Sequence, residues 1–133
     1  MPVVVDASAT LAWLFGEDDP CGWIESHLQS DGLIAPSLWQ LEVVHAILKK
    51  ERQHHLTSDQ AAAFLNVLDT LSIEIVPPRN QTLQDLAAFA RPHQLSAYDA
   101  IYLDLALQRK VAILTLDHNL QDAARRLKIG LIE

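Results

Sequence analysis

Cysteine is nearly missing from this chain, with a single Cys21 in 133 residues. One thiol closes no internal disulfide and builds no cysteine-based zinc knuckle, and it suits a reducing compartment. Cys21 itself reads as a small half-buried residue rather than a nucleophile. Basic residues are scarce too: ten Lys and Arg stand against seventeen Asp and Glu, a formal charge of −7. That balance argues against a protein that grips a phosphate backbone with its own cations. An acidic protein that handles nucleic acid needs another source of positive charge, and carboxylates gathered around divalent ions supply one. No apolar run nears the ~20 residues of a membrane-spanning helix. Met1-Pro2 brings no basic segment, and Asp6 interrupts the apolar run that begins at Val3, so no secretory signal is expected. The expectation is a soluble, cytoplasmic protein without membrane association. Repeats, low-complexity tracts and long linkers are also missing.

What is present is apolar material, 50% of the residues, enough for one domain over residues 1–133 with its own core. Short β-branched runs alternate with longer helical stretches. That pattern predicts an α/β three-layer sandwich with a central parallel sheet of about five strands. The expected strands are "PVVVD" at the start, "LIAP" at 33–36, "IEIV" at 73–76, "VAILT" at 111–115 and "IGLI" at 129–132. Helices are expected from about Ser8, and from about Pro20 to Gly32. A long one runs from Pro36-Ser37 through about Arg52, with Pro36 in its first turn. "TSDQ" at 57–60 is a capping box for a helix to about Leu71. Further helices span about Gln81 to Arg91, "SAYD" at 96–99 to Arg109, and "LQDAARRL" at 120–127. In such sheets ligands collect at the carboxyl ends of strands, near the point where strand order reverses.

Two acids fall at those ends. Asp6 follows the first strand and Asp117 follows "VAILT". Taken alone, each reads first as the N-cap of the next helix, with Ser8 and Thr10 supporting Asp6 and Asn119 competing with Asp117. Thr115, two residues before Asp117, lies on the same side of an extended chain. Glu42 sits on a mostly apolar helix stripe, where a carboxylate needs a partner, a ligand, or a route to the rim near Lys49 or Lys50. Asp99 completes the cap pattern "SAYD", yet its helix is apolar nearly all round, so this acid is expected to point into the protein or a cleft. Asp104 lies about 140° from Asp99 around the same helix and reads as a structural residue. Four acids converging on one sheet edge repel unless a cation holds them, and an all-oxygen set suits Mg²⁺ or Mn²⁺ rather than zinc.

The segments "VVVDASA", "PSLWQLEVVHAIL", "LSAYDAIYLDLA" and "ILTLDHNLQDAA", in that order and across nearly the whole chain, resemble a PIN domain. More narrowly, they are similar to the VapC-like toxins of bacterial toxin–antitoxin pairs. The resemblance implies a Mg²⁺- or Mn²⁺-dependent endoribonuclease that cuts structured RNA. It maps the family's acidic quartet onto Asp6, Glu42, Asp99 and Asp117, with Ser8 and Thr115 as supporting polar residues. It also implies a homodimer and a cognate antitoxin that covers the active-site groove. His45 stands where the family often carries Asn, and reads as an extra ligand, a contact to Glu42, or an inert replacement. No RNA-binding residue is assigned: "KKERQHH" at 49–55, Arg109-Lys110 and "RRLK" at 125–128 are better explained as solvated helix ends.

Three rival readings remain. "DASAT" resembles the first motif of haloacid-dehalogenase phosphatases, but Ser8 occupies the place of a second Asp. His54 and His55 offer metal-free acid–base cleavage, although neighbours on a helix diverge by about 100°. The third is a PIN-like binding module without catalysis, against which the complete acidic quartet argues.

Overall fold

The computed structural model describes residues 2–16, 22, 26 and 32–132. Cys21 and the body of the helix expected from about Pro20 lie outside the described residues. The first strand, β1, is Val3–Val5, whose β-branched side chains suit a pleated, buried surface. Helix α1 (Ala7–Leu14) follows at once, and then strand β2 (Leu33–Pro36). Helix α2 (Leu38–Arg52) and helix α3 (Ser58–Thr70) lead to strand β3 (Ile73–Val76). Helix α4 (Leu83–Ala90) tightens into a 3₁₀ turn, Arg91–His93, before helix α5 (Ala97–Arg109). Strand β4 (Ile113–Leu114) and helix α6 (His118–Arg126) complete the order.

The sheet is parallel, with strand order β3-β2-β1-β4. Val3 pairs with Leu33, and Val4 with Ile34 on one side and Ile113 on the other. Alternation along β1 splits the core in two. Val4, Ile34 and Ile113 join Trp39, Val43 and Ile47 of α2, Tyr102 and Leu103 of α5, and Leu120 of α6. Val3, Val5, Leu33 and Leu114 point to the opposite face, against Ala9 of α1. The sheet is therefore the middle of three layers.

Two expectations are corrected. The fifth strand shrinks to an isolated parallel bridge between Leu131 and Ile113, so the sheet has four strands among the described residues. Gly130 lies in this segment, and glycine weakens a strand. The local hydrogen bonds survive, from Ile113 N–H to the Gly130 carbonyl and from Ile132 N–H to the Ile113 carbonyl. Pro36 ends β2 instead of opening α2, and the Ser37 N–H bonds to the Val76 carbonyl, so sheet pairing claims the residues expected to start the helix. No helix among the described residues is long and apolar enough to cross a membrane.

From β1 the chain steps outward to β2 and β3, whereas β4 lies on β1's other side. Strand order thus reverses between β1 and β4. The carboxyl ends of these two strands open the crevice where ligands bind in open α/β sheets.

Candidate functional site

Asp6 leaves the end of β1 straight into that crevice and is only 4% exposed. It is the N-cap of α1, with Oδ1 accepting the Ala9 N–H at 3.0 Å. The Ser8 hydroxyl reaches its two oxygens at 2.8 and 2.9 Å, and the Thr115 hydroxyl donates to Oδ2. Thr115 in turn accepts the Asp117 N–H at 3.0 Å, and Ser8 accepts the Leu116 N–H at 3.2 Å. Ser8 and Thr115 therefore lace the end of β1 to the end of β4 across the switch point. On the other side Thr10 donates to the Asp6 carbonyl and accepts from the Trp39 indole at 3.0 Å, which ties the same corner to α2.

Asp117 is the N-cap of α6, its Oδ1 accepting the Leu120 N–H at 2.9 Å, so Asn119 does not compete. Asp99 sits in the first turn of α5, where the Ser96 hydroxyl caps its N–H at 3.1 Å. The return bond of a full capping box is not made there. Glu42 projects from α2, and its partner is the Tyr102 hydroxyl on α5, 2.5 Å from Oε1.

Asp6 and Asp99 register the crowding of negative charge. Burial pushes the Asp6 carboxyl up from 3.8 to about 6. The Ala9 N–H and the Thr115 and Ser8 hydroxyls offset only part of that rise, and the Asp99 carboxylate adds to it. Asp99 is raised too, first by burial, then by the charges of Asp117 and Glu42, with the Ser96 hydroxyl pulling the other way. Burial and the neighbouring Glu42 push the Tyr102 phenol up, so it stays a proton donor. No three His, Cys, Asp or Glu side chains among the described residues are gathered tightly enough to hold a metal ion together. Mutual repulsion of like charges opposes a closer approach. All the charged groups of the cluster are carboxylates, a hard oxygen donor set of the kind that suits Mg²⁺ or Mn²⁺.

Other sequence candidates lie elsewhere. Asp104 is buried but faces away, gripped by Arg79 through Nε and Nη2 at 3.1 Å each. It borders a separate groove beside Pro36, Pro77, Pro78 and Ile101. His45 is exposed on α2, and His54 and His55 lie beyond the end of α2 at Arg52, so they are not neighbours on a helix. Sequence reasoning missed Tyr102 and Trp39 as donors to the site. Tyr102 had a signal, one turn from Asp99 on a helix that must be buried, because a buried phenol needs a partner for its O–H.

The profile of the PIN domain matches residues 3–126 of this chain. Ribonuclease VapC3 of Mycobacterium tuberculosis (strain H37Rv) is 32% identical over 123 residues, spanning 91% of this chain and 86% of that protein. The crystal structure of PAE2754 from Pyrobaculum aerophilum aligns with a TM-score of 0.72 at 23% identity, covering 98% of this chain and 83% of that one. VapBC2 from Rickettsia felis, crystallised with a DNA fragment from its promoter, aligns with a TM-score of 0.72 at 11% identity, covering 99% and 98%. At these identities the two structures speak for the fold alone. With a family profile over nearly its whole length, a matching fold and relatives at 32% identity, this chain belongs to the PIN-domain family, alongside the proteins named ribonuclease VapC.

Proposed function

We propose that this chain is a Mg²⁺- or Mn²⁺-dependent endoribonuclease, the toxin of a toxin–antitoxin pair, acting as one nuclease domain on structured RNA in the cytoplasm. Asp6, Glu42, Asp99 and Asp117 are its metal-holding residues, and Ser8 and Thr115 support them. The observation that carries the reading is electrostatic. Burial and mutual repulsion raise Asp6 and Asp99 where the strand order reverses. An arrangement that costs the fold stability is expected where function demands it. A divalent ion held by these carboxylates would neutralise their charge and would supply an activated water for phosphodiester hydrolysis.

The chain's own residues do the positioning. Capping by Ala9 and Leu120 fixes one oxygen each of Asp6 and Asp117. The hydroxyls of Ser8 and Thr115 hold Asp6 at the strand end, so its direction is set before any ligand arrives. Ribonuclease is the activity named for the VapC relatives, and the VapBC2 complex pairs such a protein with its partner. By the same reading this chain forms a homodimer and is held by a cognate antitoxin.

The test uses antitoxin-free protein, a structured RNA, and parallel reactions with Mg²⁺, Mn²⁺ or EDTA, alongside Asp6→Asn. Cutting that needs the ion, is lost in Asp6→Asn and leaves 5′-phosphate and 3′-hydroxyl ends is the expected result. Cutting that survives EDTA, or ends bearing a 2′,3′-cyclic phosphate, would overturn it.

A further inference from the structure

The four acids are not held alike. Asp6 and Asp117 precede helices and borrow free backbone N–H groups from Ala9 and Leu120. Asp99 begins its helix beside Ser96. Glu42 has none of these resources. It lies in the second turn of α2, where the surrounding N–H groups already serve the helix ladder. A long, half-buried side chain with several free torsions then keeps one direction only if a donor from another element holds it.

That donor is Tyr102. The residue is 1% exposed, and its ring packs in the larger core cluster with Trp39, Val43 and Leu103. Its hydroxyl meets Glu42 Oε1 at 2.5 Å, a distance suited to an O–H bonded to a carboxylate. Tyr102 is also one turn from Asp99, so α5 presents an acid and the anchor of another acid on neighbouring positions. We propose that Tyr102 is a positioning residue for Glu42: its hydroxyl holds Oε1 and leaves Oε2 as the oxygen offered to a divalent cation. The inference rests on the metal reading of the cluster and adds to it a residue that touches neither ion nor substrate.

The chemistry of the donor fits this task. A lysine or arginine in the same place would neutralise Glu42 and compete with the cation. A phenol orients the carboxylate and leaves its charge in place. Arg79 illustrates the other choice on the far side of the same helix, where it neutralises Asp104.

The test measures Mn²⁺ affinity by titration calorimetry on metal-free protein, with the circular dichroism spectrum and melting midpoint as fold controls. Tyr102→Phe removes only the hydroxyl. The expected result is a native spectrum and Mn²⁺ binding weakened by about 10–100-fold, the usual effect of losing an outer-shell partner. In a Glu42→Gln background the same change should alter affinity by less than about twofold, because the residue it acts through is gone. An unchanged affinity in Tyr102→Phe, or an equal loss in both backgrounds, would overturn the proposal while leaving the metal reading intact. A wild-type chain that binds no Mn²⁺ would instead remove the metal reading and this inference with it. If Tyr102→Phe does not fold, Glu42→Asp carries the test, since the shortened acid keeps its charge but no longer reaches the phenol. Wild-type affinity in that variant would equally overturn the role.

Discussion

Helix α5 carries two shielded carboxylates in opposite surroundings. Asp104 meets Arg79 through two parallel hydrogen bonds, so the protein supplies its own cation. Asp99, about 140° around the same helix, feels the charges of Asp117 and Glu42, and its carboxyl is pushed up by burial and by both charges. The first arrangement is what a fold does to make a buried acid tolerable. The second withholds that remedy. The starts of the helices repeat the contrast. At Thr57 and Thr82 the third residue of the helix, Gln60 or Asp85, reaches back to the cap and completes a capping box. At Ser96 the pattern is the same, but Asp99 does not return to the cap and instead feels the other acids. One local motif therefore serves stability twice and the candidate site once.

Neutralising the acids of α5 one at a time separates their roles. Asp99→Asn should lower RNA cleavage by more than the ~100-fold typical of outer-shell losses, with folding retained. Asp104→Asn should leave cleavage within about twofold. Rates measured on one RNA substrate decide between them, and equal losses would erase the distinction.

Next in size is the pH dependence of stability. Asp6 rises from 3.8 in the ordinary case to about 6 in the fold, so the native state binds its proton more tightly than the unfolded chain does. Its contribution is fully present below the lower value and is lost as pH rises through the higher one. The loss is about 3 kcal/mol in total. Urea unfolding of metal-free protein at pH values on both sides of that window should show this decline. Asp6→Asn should flatten it and be the more stable protein at pH 7.

The Arg79 pair gives a smaller effect. Arg79→Ala strands Asp104, whose side chain is 12% exposed, and should cost about 2–3 kcal/mol. Asp104→Ala should cost only about 1 kcal/mol, because the side chain of Arg79 is 51% exposed and turns to water. Chemical denaturation of the two variants measures the asymmetry. Smallest is Thr57→Ala, which removes an exposed cap from α3 and should cost about 1 kcal/mol without touching cleavage.

Much of this was legible in the chain itself. The β-branched run at Val3–Val5, the capping box at Thr57 and the buried helix after Ser96 are local signals, and each element formed where its residues place it. The errors fell where sheet pairing decides. Pro36 has the look of a helix start, yet pairing with Val76 keeps it in β2. The expected last strand contributes one bridge, since nothing local reveals how far a neighbour accompanies it. In the site, the end-of-strand acids were legible by position. The partner of Glu42 was not, because Tyr102 lies sixty positions away and no spacing rule connects two helices.

Residue types and their periods determined the alternation of strand and helix, the parallel sheet and the positions of the acids that are candidates for chemistry. Those properties follow from steric and hydrogen-bonding preferences within a few residues of each position. Only the tertiary structure decided which acids feel one another's charge. The strand order puts Asp6 beside Thr115 across 109 positions and exposes Asp99 to the charges of Asp117 and Glu42, while Asp104 turns to Arg79. Burial and charge at each acid depend on neighbours brought from other elements, and a carboxylate acquires its character from them.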